Sequence, residues 1–146
     1  MTSMSQARDD VFKMFTDYWN ANALFDGYVP EVRYAGTAKG PVPPAQMAWA
    51  RLTLQHTTGR QVSFGAPGSR RFERRGLIML QVFVPTQSGQ GLSEVETLAT
   101  IALNSWEGKA SPNGVWFREL RVEDVGEDGP WWNTNVMGSF VYDEVK

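Results

Sequence analysis

The sequence predicts an α+β fold: a mainly antiparallel sheet with two helices packed on it, in the order α-(β)-β-β-β-α-β-β. Three observations predict it. Residues 5–23 and 93–106 repeat apolar side chains every three or four positions, the period of an amphipathic helix. Elsewhere the apolar residues alternate or run unbroken over short stretches, as in half-buried and central strands. Short Gly-, Pro- and Asn-bearing breaks separate these stretches and favour hairpins. At 146 residues the chain fits one domain, 1–146, that buries roughly 68–70% of its extended surface, with residues 1–4 expected to be disordered.

In the first helix, Ser5 to Ala23, the apolar face is Val11, Phe12, Phe15, Tyr18 and Trp19, and Asp9 and Asp10 near its start suit the helix dipole. Asn20, Asn22, Gly27 and Pro30 end it. Val32 to Tyr34 is a short strand at most, ahead of a Gly36 to Pro44 loop. Gln46 to His56 alternates, with Ala48, Ala50, Leu52 and Leu54 on the core face and Trp49, Arg51, Thr53 and Gln55 on the other. A turn at Thr57-Thr58-Gly59 then leads to a second strand, Arg60 to Phe64, and a loop at Gly65, Pro67 and Gly68. Gly76 to Pro85 is nearly unbroken apolar sequence, which predicts a central strand covered on both faces. Ser93-Glu94-Val95-Glu96 reads as a capping box opening the second helix, whose face carries Val95, Leu98, Ala99, Ala102 and Trp106. Val115 to Val122 and Asn135 to Val145 are the last strands, joined by an acidic Glu123 to Pro130 loop.

Composition narrows the function classes. The net charge of −2 offers no global attraction to nucleic acid or an anionic membrane. With no cysteine there is no disulfide framework, thiol nucleophile or thiolate metal site. The first residues lack a basic run and an apolar stretch, and no segment approaches the ~18 apolar residues of a membrane span, so a soluble protein made in the cytoplasm is expected.

Few residues carry chemistry. His56 is the single histidine and has no sequence partner for acid-base work, so it reads as an ordinary edge residue. Glu123, Asp124, Glu127 and Asp128 do not match a calcium loop and read as a solvated turn. Gly89-Gln90-Gly91 lacks the third glycine and the Gly-Lys-Ser or Gly-Lys-Thr of a phosphate loop. No catalytic, cofactor or metal residue is expected. Arg70, Arg71, Arg74 and Arg75 form the sharpest charge feature, either a contact for phosphates or an acidic partner, or a solvated hairpin arm. Trp131 and Trp132 are adjacent beside the last strand, where consecutive side chains point to opposite faces, so one core can hardly bury both. One of them is expected to meet a helix, a second subunit or a partner protein. Trp19 and Trp106 belong to the core, and Trp49 and Trp116 are candidates for outer faces.

The order of these elements, with the early aromatic helix ending near Trp19, the Ala48-Trp49-Ala50-Arg51 strand, Gly76 leading into Leu77 to Val84, and the closing Trp131-Trp132-Asn133 to Tyr142-Asp143-Glu144 segment, resembles the tail terminator-like proteins of phages with long non-contractile tails, including those of prophages. The resemblance spans nearly the whole chain and rests on order, because no single string is a catalytic motif. It implies a non-enzymatic structural protein that forms a ring, usually of six copies, caps the tail tube, ends its polymerisation and joins the head-side connector. Its partners would be itself, the tail tube protein and the head-tail connector protein, without membrane or specific nucleic acid. Its place would be the host bacterial cytoplasm during assembly and then the virion tail. Two other classes stay open: a small-molecule-binding α+β domain with a pocket of Trp49, Phe64, Trp116 and Phe140, and a nucleic-acid module using the arginine arm.

Overall fold

Ser3 opens the first helix in the computed structural model, which describes residues 2–37, 40–41, 43–88 and 91–146. The backbone N–H of Gln6 donates to the Ser3 hydroxyl (3.2 Å) and that of Ser3 donates to Gln6 Oε1 (3.0 Å), a capping box that fixes helix α1 as Met4–Asn22. Where disorder is expected for residues 1–4, Thr2 is buried and its hydroxyl donates to Asn113 O; Met1 lies outside the described residues. This earlier start puts Asp9 and Asp10 beyond the first turn, which holds no acid. Asp10 instead accepts hydrogen bonds from Ser111 Oγ (2.6 Å) and Asn113 Nδ2 (3.0 Å), tying α1 to the turn after the second helix.

The remaining elements are β1 (Glu31–Tyr34), β2 (Trp49–Gln61), β3 (Arg71–Pro85), a 3₁₀ turn at Thr86–Ser88, α2 (Gly91–Trp106), β4 (Trp116–Asp128) and β5 (Trp131–Val145). The strands make one sheet in the order β1-β2-β3-β5-β4, antiparallel except for the β1–β2 pair. The protein is α+β.

β3 and β5 begin earlier than the sequence expectation, at Arg71 rather than Gly76 and at Trp131 rather than Asn135, and three further boundaries differ for local reasons. The strands expected at Gln46–His56 and Arg60–Phe64 are one strand, because Thr57 is accommodated as a bulge between His56 and Thr58. Gly59 is not a turn residue there: it pairs with Arg74 within the β2–β3 ladder. The reversal comes later, where Val62 N–H donates to Arg71 O (2.9 Å). Second, the acidic Glu123–Pro130 segment is strand as far as Asp128. Bulges at Arg118/Arg121 and Asp124/Gly126 take up its irregularities. Only Gly129 and Pro130 make the turn, with Gly129 at φ 60°, as a two-residue hairpin with glycine at its first central position requires. Third, α2 begins at Gly91, so Ser93 lies inside its first turn and is not its cap.

Both helices pack on one face of the sheet. Ala7, Val11, Phe15 and Trp19 of α1 and Val95, Leu98, Ala99, Ala102 and Trp106 of α2 are buried against Ala50, Leu52, Ile78, Leu80, Val82, Val84, Val136, Phe140 and Tyr142. Phe15 lies between two indoles, with ring centroids 5.1 Å from Trp19 and 5.3 Å from Trp106. Each indole N–H is satisfied, Trp19 by Pro30 O (3.0 Å) and Trp106 by Val11 O (3.2 Å), so two large amphipathic rings enter the core without an orphaned donor.

Candidate functional site

Among the described residues, no helix lies over the other face of the sheet. Pairing places Trp49 and Arg51 of β2, Leu77, Met79, Gln81 and Phe83 of β3, and Trp131, Asn133, Asn135 and Met137 of β5 on this face. The cover expected over both sides of Gly76–Pro85 is therefore uneven. Phe83 is buried beneath Trp49 and Trp131, whereas Leu77 is 47% exposed.

The covered end is an aromatic and arginine cluster. Trp49 stacks on Phe83 with centroids 4.3 Å apart, and Trp131 meets both rings edge-on at 5.8 and 6.2 Å. Arg51 lies over Trp49 and Phe83 and donates to Gln81 Oε1 (2.8 Å), while Arg33 of β1 lies over the other reach of Trp49. Trp49 Nε1, Asn133 Oδ1 and Asn135 Oδ1 are buried on this face without a hydrogen-bond partner.

The adjacent tryptophans separate as strand geometry demands. Trp131 joins the open-face cluster and donates its indole N–H to Met47 O (3.1 Å). Trp132 turns to the helical side, where its ring fills the space a side chain on Gly91 would need. Both are half-buried. Of the outer-face candidates, Trp49 is 5% exposed and Trp116 is 40% exposed with Arg118 above its ring (4.3 Å).

The arginines are spread over a hairpin arm rather than gathered. Arg71 and Arg75 sit on the open face and Arg74 on the opposite one, as alternation along β3 requires. Arg70 precedes the strand and donates its Nε to Gly65 O (2.8 Å). Local carboxylates answer most of them: Arg71 pairs with Asp143, Arg74 with Glu144 (3.1 Å), and Glu73 serves both Arg75 (3.0 Å) and Arg60 (3.3 Å). Its Arg75 hydrogen bond and the nearby Arg60 hold the Glu73 carboxyl below its ordinary range against the opposing pull of burial. One expectation about charge is reversed: Glu123, Asp124, Glu127 and Asp128 lie with Glu119 along the edge strand β4, not in a loop.

His56 ends the core-facing register of β2. Its Nε2 shares a hydrogen bond of 2.9 Å with the buried Tyr142 hydroxyl, and both Phe140 and Tyr142 stand edge-on to its ring. Burial, then Arg74 and Arg8, lower its pKa from 6.5. A histidine with a lowered folded pKa binds fewer protons than in the unfolded chain. Its contribution is complete above pH 6.5 and is lost as pH falls through the folded value. The urea midpoint is therefore expected to drop between about pH 7.5 and about pH 5, and His56→Gln to flatten that drop. An equal drop in the variant would remove His56 as its source. Glu73 and Glu144, whose folded pKa values lie below 4.5, act in a separate, more acidic window.

The proposed aromatic pocket does not assemble. Phe140 faces the helices, Trp49 faces the open side, Phe64 is 98% exposed at the hairpin tip and Trp116 begins β4. A groove of about 600 Å³ runs between α1 and the end of β1, flanked by the Arg8–Asp9 and Lys13–Asp17 ion pairs. Among the described residues no three His, Cys, Asp or Glu side chains gather as a metal site, and no helix is long and apolar enough to cross a membrane. Gly89 and Gln90 of the glycine-bearing break lie outside the described residues.

No family model matches the chain, and no curated protein does. Among solved structures, one protein 17% identical to this chain superposes with a TM-score of 0.70 over 97% of this chain and 96% of the other. That likeness extends the α+β fold to the whole length of both chains.

Proposed function

We propose that the protein is a structural tail-assembly protein of the terminator kind, which closes the growing end of a phage tail tube by stoichiometric contact. The observation that carries this reading is a sheet with helices on one face alone, whose second face and both edges are left for contact. Among the described residues, β2 has no partner on its β1 side beyond Leu52, and β4 pairs with β5 alone apart from a single bridge between its first residue, Trp116, and Ala110. A strand edge is a template for pairing, and two different edges on one subunit suit a heterologous contact that a rotation axis closes into a ring. The order of sequence elements set out above supports the same reading.

The test is to polymerise the cognate tail tube protein with and without this protein and to measure tube length by electron microscopy and sedimentation. Terminator action gives shorter tubes with added density at one end. Tubes whose length and ends ignore the protein at every ratio sink the proposal.

A further inference from the structure

We infer that the self-contact is made between the basic β2–β3 hairpin arm of one copy and the acidic free edge of β4 in the next. This rests on the ring reading and names the surfaces it would use.

Three observations on the two surfaces meet. The first is charge. The arm carries Arg60, Arg70, Arg71, Arg74, Arg75 and Lys146, and among the described residues only Glu73, Asp143 and Glu144 answer them, with Glu73 and Glu144 each shared between two cations. On β4, Glu123 pairs with Arg121, whereas Glu119, Asp124, Glu127 and Asp128 have no ion pair among the described residues. Cationic excess at one end of the sheet and anionic excess along one edge repel like surfaces and attract unlike ones, so the contact is head to tail.

The second is backbone. Among the described residues, Thr53–Gln61 of β2 and the outer side of β4 beyond Trp116, where Ala110 bridges, both present strand N–H and C=O groups with no neighbouring strand. Laid edge to edge, they continue one sheet from copy to copy, the arrangement used in strand addition. The faces then align: Arg60 and Arg71 lie on the open face of the arm, and Glu123 and Asp128 on the open face of β4.

The third is apolar exposure, which both surfaces share. Val122 and Val125 of β4 are 39% and 54% exposed, and Val62 and Phe64 at the arm's tip are 40% and 98% exposed. Phe64 lies in the loop that closes the hairpin, between Gln61 and Arg71. It is available to another molecule.

Charge reversal tests this. Arg60→Glu with Arg71→Glu makes an arm variant, and Glu123→Lys with Asp128→Lys makes an edge variant; circular dichroism confirms that each is folded. Sedimentation velocity is run over a range of concentrations at low and high salt, alone and with the tail tube protein. Each variant alone is expected to stay monomeric where the unaltered protein associates. Their equimolar mixture is expected to regain association, because each altered surface then meets a complementary one, and added salt is expected to weaken it. Variants that associate as the unaltered protein does would overturn the interface while leaving tube capping intact. A mixture of two folded variants that stays monomeric would overturn it too. An unaltered protein that is monomeric throughout and leaves tube length unchanged would overturn both the interface and the ring.

Discussion

Replacing Gly76 by valine is expected to lower stability by about 3 kcal/mol, the upper part of the range for forcing extra methyl groups into a packed core. Strand propensity alone favours valine over glycine, so the expected sign comes wholly from space. Gly76 is buried in the middle of β3, opposite His56 on one side and Phe140 on the other. A Cβ there falls well inside 3.0 Å of the Phe140 ring and of the Gln55 carbonyl oxygen. The ring is fully buried in the core, and the carbonyl belongs to the neighbouring strand. Roughly 3 kcal/mol corresponds to about 6–12 °C in Tm for a chain of this size. Gly40→Ala serves as the control, since nothing lies within 4 Å of a Cβ there, and a shift within about 0.5 kcal/mol is expected. Equal melting of the two variants would show that the Gly76 site relaxes freely.

Trp106→Ala is expected to cost about 3–5 kcal/mol by urea denaturation, a large share of the ~5–15 kcal/mol that holds a domain together. Trp106 is fully buried, stacks on Phe15 and donates to Val11 O, so the change opens a cavity between the helices and removes a hydrogen bond that links them. Trp106→Phe keeps most of the stack and loses the donor, and is expected to cost about 1–3 kcal/mol. Trp116→Ala, at a side chain 40% exposed, is expected to cost much less. Were Trp116→Ala as damaging as Trp106→Ala, the division of the tryptophans between core and surface would be wrong.

The parts of this molecule that were legible in its sequence are those set by periodicity. Val11, Phe15, Trp19, Leu98 and Trp106 recur at helical spacing and are the residues that meet across the core. The alternation Ala48, Ala50, Leu52 likewise identified the buried side of β2. What escaped were features decided by one residue's backbone. Gly59 in a strand and glycine in a turn look alike in sequence, and the pairing of Gly59 with Arg74 across the ladder distinguishes them. The acids of β4 suit a loop by composition, yet two bulges let them remain in register with β5. The Ser3-to-Gln6 capping box was present to be read, but the similar pattern at Ser93 fell within a helix already begun. For the candidate surfaces, four nearby arginines proclaimed a cluster, whereas strand alternation divides them between faces and the answering Asp143 and Glu144 come from the far end of the chain.

β5 lies between β3 and β4, although it follows all other elements in the chain. During synthesis, β3 and α2 emerge from the ribosome well before the strand that separates β3 from β4. Until residues 131–145 are released, the long apolar β3 has a bare side and β4 has no partner at all. A nascent chain therefore holds its most adhesive strand unpaired on the polysome, where many copies sit close together. Translation pauses before that last strand would lengthen this exposure, and chaperone occupancy on such stalled chains is expected to peak in that interval and fall once β5 slots into place.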